Sequence, residues 1–285
     1  MRELTDAHVA AVPLDAVVDE VGRCLADLGR GAASQAPKSV LPTAHGAFFL
    51  SLAGVVPRLG LAVAKWASYS PGAAGRPGAS TSTVVASDAT TGEPLALITG
   101  MAFTQRRTAA TAVAVARAGA GTGARPPRTV ALIGCGATNR AVLDAVLATA
   151  PGVAVRVLVR SPESASALSD ELADLVTDVE VATDPEVIAG ADWAFSATGA
   201  TTPVADLAAL AAGATAVALD GARTWRLPPG AAVLDDHVVP GGEPPAVPRL
   251  LAGTVAFPDG PVLLDVAGSA VCDVALAARL LAVTA

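Results

Sequence analysis

Apolar residues recur three and four apart near the start of the chain. Leu14, Val17, Val18, Val21, Leu25 and Leu28 share one helical face, and Gly29-Arg30-Gly31 ends it. The pattern predicts a helix over about residues 1–30. Residues 47–56 and 59–66 are short apolar runs that predict strands, followed by the breaker-rich loop Ser70-Pro71-Gly72-Ala73-Ala74-Gly75-Arg76-Pro77-Gly78. Ser82–Ser87 and Pro94–Ile98 flank Asp88-Ala89-Thr90-Thr91-Gly92-Glu93 and predict a hairpin with Gly92 in its turn. Ala109–Ala118 predicts a helix of small residues ended by Gly119–Gly123, and Arg125-Pro126-Pro127-Arg128 an interdomain linker.

Beyond that linker the pattern alternates. Strands are predicted at Thr129–Ile133, Val153–Val159, Val179–Ala182, Trp193–Ala197 and Thr215–Leu219, with helices at Arg140–Ala150 and Glu163–Leu175. Strands alternating with helices imply an α/β parallel sheet covered on both faces. The apolar segment Val271–Val283 predicts a last helix, free to return and pack on the first domain.

Composition narrows the function. Of 285 residues, 52% are apolar and 16% charged, so the chain is not disordered and has a large core to bury. Aromatics are only 3%, which leaves Ala, Val and Leu to fill that core. Nineteen basic and 26 acidic residues are scattered along the chain, and no basic stripe suits nucleic acid. No apolar run of ~18 residues predicts a membrane span, and the opening segment carries acids where a signal peptide has basic residues. A soluble, cytoplasmic protein is expected. Cys24, Cys135 and Cys272 are few, odd in number and far apart, which argues against disulfides and zinc. His8, His45 and His237 stand alone and read as surface histidines, so no metal is expected.

Lysine usage is more informative. Only Lys38 and Lys65 occur; every other basic side chain is arginine. Lys65 lies in the apolar run Leu61-Ala62-Val63-Ala64-Lys65-Trp66. An amine buried there has a lowered pKa suited to acid–base work, whereas one at a strand edge snorkels to solvent. Both readings stand on sequence.

Gly134-Cys135-Gly136-Ala137-Thr138-Asn139 follows the first strand of the alternating region and opens a helix. The first glycine permits a tight turn, and the second lets the backbone approach a pyrophosphate resting on the helix N-terminus. Asn139 replaces the third glycine of the GxGxxG fingerprint. At the end of the next strand an NAD site carries an acid, but here Leu158-Val159-Arg160-Ser161 has none. Arg160 and Ser161 suit a 2′-phosphate, so NADP(H) is favoured and NAD remains possible. The alternative is a plain surface arginine.

Lys65, the segment Thr90-Thr91-Gly92-Glu93-Pro94-Leu95-Ala96-Leu97, the run Thr104-Gln105-Arg106-Arg107-Thr108-Ala109-Ala110 and the Gly134-Cys135-Gly136 turn resemble the ornithine cyclodeaminase/mu-crystallin family in order and spacing. So does Ala191–Val204. The resemblance implies a Rossmann-type dinucleotide domain at 122–267 and a smaller α+β substrate and dimerisation domain at 1–121, joined by the C-terminal helix 268–285. It implies a homodimer. By position, Lys65 is similar to the family's catalytic lysine, and Arg107 to the arginine that clamps the substrate carboxylate. Lys38 stands where relatives carry a second carboxylate-binding arginine. Thr81 and Thr108 resemble cofactor-contacting threonines. Gly134, Gly136, Ala137, Thr138, Asn139, Ala197, Thr198 and Gly199 fall on the cofactor-binding segments. Asp220 resembles the aspartate that receives the substrate amine, although a slip of one puts Gly221 there.

The expected activity is NAD(P)-dependent interconversion of a cyclic imine or α-imino acid with the corresponding amine. The rivals are a cyclodeaminase that recycles bound NAD within one turnover and a weakly active, NADPH-binding crystallin-like protein. A carboxylate clamp suits the first, because misplacing the α-carbon by ~1 Å costs about a hundredfold in rate.

Overall fold

The computed structural model of the chain describes residues 1–43, 46–70, 78–119 and 126–284. His45, the loop at 71–77 and the linker positions 120–125 lie outside the described residues. In chain order the elements are β1 (Arg2–Leu4), α1 (Asp6–Ala10), α2 (Leu14–Gly29), β2 (Ser34–Gln35), β3 (Ser39–Pro42), β4 (Phe48–Val56), β5 (Leu61–Ser70), β6 (Ala79–Asp88), β7 (Pro94–Thr99) and α3 (Met101–Gly119). There follow β8 (Thr129–Ile133), α4 (Ala137–Thr149), β9 (Ala154–Leu158), α5 (Pro162–Ala173), β10 (Val179–Ala182), β11 (Trp193–Ser196), β12 (Ala205–Asp206), β13 (Thr215–Ala218), β14 (Trp225–Arg226), β15 (Ala232–Asp235), α6 (Ala246–Leu251), β16 (Val262–Asp265) and α7 (Ala270–Val283). Two compact units result: Met1–Thr108 with His237–Thr254 and Gly268–Ala285, and Ala109–Asp236 with Val255–Ala267.

The first unit is built on a sheet ordered β1-β7-β6-β5-β4-β2, with β3 also pairing β4. All its ladders are antiparallel except β1 with β7. Side chains alternate across it. Leu52, Val56, Leu61, Val63, Val84, Ala86, Ala96 and Ile98 are buried, and α7 packs on β4 and β5. On the opposite face Ala53, Ala64 and Trp66 are exposed, Trp66 by 47%, whereas Tyr69 lies on the α7 side near the end of β5.

The stretch 1–30 is not one helix. Pro13 lacks an N–H and biases Val12 away from helical geometry, so α1 stops and α2 starts anew at Leu14. Residues 2–4 become a strand because they pair with β7. The small-residue helix starts at Met101, earlier than expected. Its first turn is capped from far away: Asp6 Oδ1 accepts a hydrogen bond from the Ala102 N–H at 3.0 Å, beside Gly100 at φ +109°.

Residues 237–254, counted from sequence with the dinucleotide domain, sit in the first unit. Helix α6 packs against α2 so closely that a Cβ on Gly29 would lie 2.1 Å from the Pro248 carbonyl oxygen. The second unit is a sheet ordered β10-β9-β8-β11-β13-β16-β15, every ladder parallel. Numbered in chain order within this sheet, its first five strands run 3-2-1-4-5, the Rossmann order. Among the described residues no helix is long and apolar enough to cross a membrane.

Candidate functional site

In the second unit the strand order reverses between β8 and β11, and ligands of open parallel sheets bind outside the carboxyl ends of the strands at such a point. A cavity of about 960 Å³ lies there. Gly134, Cys135 and Gly136 line it after β8, Val159 and Arg160 after β9, and Ala197, Thr198 and Gly199 after β11.

Each glycine has its own reason. Gly134 holds φ +78°, and a Cβ there would meet the Ala197 carbonyl oxygen at 3.0 Å. Gly136 has ordinary extended backbone, and a Cβ on it or on Gly199 would meet nothing within 4 Å. Since both line the cavity, their missing side chains are open space inside it. Helix α4 begins directly after Gly136, so the N–H groups of Ala137 and Thr138, which have no partner within the helix, stand at the end of the turn. This donor set and this space suit the pyrophosphate of a dinucleotide.

Asn139 faces elsewhere. It is fully buried, and its Nδ2 donates toward the carbonyls of Gly134, Ile133 and Phe195 at 2.7, 3.1 and 3.2 Å. It ties the glycine turn to the ends of β8 and β11. Asp220 also works inside this unit. Ser196 Oγ donates to its Oδ1 at 2.7 Å, and Thr198 donates to its Oδ2 from N–H and Oγ1 at 2.7 and 2.8 Å. Trp225 Nε1 donates to Ser196 Oγ at 3.0 Å, which completes the network. Gly221 holds φ +92°, a conformation that an acidic residue there adopts only with strain. Arg160 is exposed at the crevice, whereas Ser161 caps α5, its Oγ accepting from the Ser164 N–H at 3.3 Å.

In the first unit the structure decides between the two readings of Lys65. Its side chain is fully buried, and Nζ donates to Asp273 Oδ1 at 2.8 Å. Arg107, also buried, places Nε 3.2 Å from the same oxygen. A Cβ on Gly268, at φ +106°, would stand 3.1 Å from Arg107 Nη1, so glycine there gives the guanidinium room. Burial, then the Arg107 charge, pull the Lys65 pKa down from 10.5 to about 8, with the Asp273 charge and hydrogen bond opposing them. Thr108 sits one helical position on and donates to the Thr104 carbonyl at 2.7 Å. Thr81 is exposed on β6, its hydroxyl 2.6 Å from that of Ser68. Lys38 is exposed between β2 and β3.

Asp273 was missed from sequence. Its signal was a single acid within the apolar run Val271–Val283, which the periodicity assigned simply to a packing helix. A buried charge needs a partner, and nothing local showed where the partner lay.

The sequence model of the ornithine cyclodeaminase/mu-crystallin family matches residues 7–239. The chain belongs to this family. No curated protein sequence matches it. Solved structures do. A probable ornithine cyclodeaminase from Bordetella pertussis Tohama I is 24% identical, with 99% of this chain and 96% of that one covered at a TM-score of 0.78. The Thermococcus litoralis Δ1-pyrroline-2-carboxylate reductase in complex with NADH and L-proline is 19% identical, over 98% and 96%, at 0.80. An archaeal alanine dehydrogenase dimer with bound NAD is 19% identical, over 100% and 97%, at 0.80. At these identities the likeness to each structure shows the fold: a Rossmann-type domain with a second α/β domain.

Proposed function

We propose that this family member is an NAD(P)-dependent oxidoreductase that interconverts a cyclic imine or α-imino acid with the corresponding amine. The second unit binds the dinucleotide, and the first supplies the groups that hold and protonate the substrate. The observation that carries this reading is Lys65: a buried amine, hydrogen-bonded to Asp273, with a pKa near 8. Such an amine is mostly protonated near neutral pH yet gives up its proton readily, which suits a general acid. When bound, the nicotinamide supplies or accepts the hydride.

Lys65 Nζ delivers a proton to the imine nitrogen in reduction and takes it back in oxidation. Arg107, with Lys38 as a second cation, grips the substrate carboxylate, and a planar guanidinium suits that grip. Gly134, Gly136, Ala137 and Thr138 cradle the pyrophosphate, and Ala197, Thr198 and Gly199 flank it, with Thr81 and Thr108 as further contacts. Asp220 acts on the cofactor side by fixing Thr198. Arg160 favours NADP(H), since it lines the crevice at the strand end where an NAD site carries an acid. The exposed sheet face bearing Ala53, Ala64 and Trp66 supports a two-fold homodimer.

The test is turnover. Cyclic imines and α-imino acids, offered with NADPH or NADH, should consume the reduced nucleotide stoichiometrically. Ammonia release from a diamino acid with no net change in nucleotide would support the cyclodeaminase reading instead. Tight nucleotide binding without turnover of either kind would place the protein with the crystallin-like members. Arg160→Ala should weaken NADPH by ~1–3 kcal/mol and leave NADH nearly unchanged.

A further inference from the structure

Asp273 occupies the first turn of α7, and that turn is anchored from outside the helix. Gln35 Oε1, on β2, accepts hydrogen bonds from Ser269 Oγ at 2.9 Å and from the Val271 N–H at 3.2 Å. Gly54 on β4 lets the helix settle on the sheet, since a Cβ there would fall 3.0 Å from the Ala270 Cβ. These contacts leave the Asp273 carboxylate little freedom. Its Oδ1 meets both Lys65 Nζ and Arg107 Nε, while its buried Oδ2 has no hydrogen-bond partner among the described residues. One oxygen takes both cations.

We infer that Asp273 is a positioning residue: by holding Lys65 and Arg107 on a single carboxylate oxygen, it sets where the proton donor stands and keeps it charged. The inference rests on the proposed role of Lys65 as proton donor. The physical need is plain. An ammonium removed from water beside a guanidinium is driven toward the neutral amine, which has no proton to give. A buried carboxylate in direct contact opposes that drive. The charged and titratable groups facing Lys65 are Arg107 from α3 and Cys272 and Asp273 from α7; the flanking strand positions, Leu52 and Val84, carry no charge.

With only two lysines in the chain, Lys65 can be watched directly by NMR of isotope-labelled lysine in the intact protein. Loss of a signal in Lys65→Met assigns it. In the unmodified protein the Lys65 ammonium should give a slowly exchanging proton signal, because Asp273 holds it away from water. In Asp273→Asn, which keeps the shape and removes the charge, the Lys65 titration should move down by about one to three pH units. The alkaline fall in kcat should move down with it. Asp273→Ser, read the same way, serves if the asparagine variant does not fold. An unmoved Lys65 titration in a folded variant, or a rapidly exchanging ammonium in the unmodified protein, overturns the inference. If the titration moves but kcat on a confirmed substrate ignores it, Asp273 still positions Lys65 and the proton-donor role of Lys65 is wrong.

Discussion

Restoring the third glycine of the dinucleotide fingerprint should damage this protein. Asn139 stands at that position, fully buried, with its amide shared among the carbonyls of Gly134, Ile133 and Phe195. Asn139→Gly completes the GxGxxG pattern and removes that amide. Each hydrogen bond lost costs ~0.5–1.5 kcal/mol net, and a buried acceptor left without a donor ~1–3 kcal/mol. Glycine inside a helix costs roughly 0.5–1 kcal/mol more than alanine. Against these stands Asn139 Oδ1, which is buried with no hydrogen bond among the described residues, so its removal offsets part of the loss. A net destabilisation of about 2 kcal/mol follows. With urea slopes of ~1–3 kcal/mol per molar, the midpoint should fall by on the order of 1 M. Urea unfolding followed by tryptophan fluorescence measures this, in a Trp66→Phe background where Trp193 and Trp225, both buried in the second unit, report alone. Because the Gly134 carbonyl loses its tether, NADPH affinity measured by nucleotide fluorescence should also fall. An Asn139→Gly protein as stable as the original and binding NADPH as tightly would refute the argument.

Two further outcomes test other parts of the molecule. Gly29→Ala places a Cβ against the Pro248 backbone and should destabilise the first unit by ~1–3 kcal/mol, since a 2.1 Å contact with a carbonyl oxygen forces α6 off α2; an unchanged calorimetric transition would contradict the docking of residues 237–254 there. Lys65 gives stability a pH dependence of definite sign. Between its folded pKa of about 8 and its ordinary 10.5, the unfolded chain holds a proton that the folded chain has released. Stability from this group therefore rises with pH across that window, by up to ~1.4 kcal/mol per unit, and its cost is fully present below it. The stability difference between the native protein and Lys65→Met should change over that range in favour of the native chain. A difference independent of pH would show that Lys65 is not held in the buried site.

Much of this architecture was legible because it rests on local patterns. Alternating strands and helices after residue 128 specify a parallel sheet, since each apolar run and each amphipathic stretch shows its own period. Gly134 and Gly136 mark a turn whose backbone geometry and closeness to a ligand depend on a missing side chain at one position. Lys65 stood out because lysine is scarce in the chain and this one lies in an apolar run. Its neighbourhood did not stand out, so burial and strand-edge exposure looked alike.

Tertiary structure decided what depended on distant partners. Asp6 caps α3 from the other end of a sheet's worth of chain, so α3 starts earlier than its own periodicity predicts. Helix α6 belongs with α2 because Gly29 admits the Pro248 backbone, a fit that no local window contains. Asp220, expected as the acid for the substrate amine, accepts hydrogen bonds from Ser196 and Thr198, partners that lie more than twenty residues away in sequence. Asn139, an apparent flaw in the fingerprint, is a tether between two strands. Asp273 became the centre of the buried charge cluster only when α7 crossed β5 and met α3. Short-range periodicity determines where strands and helices form. The partners of a buried charge or amide depend on which elements pack together, and that is a property of the folded chain alone.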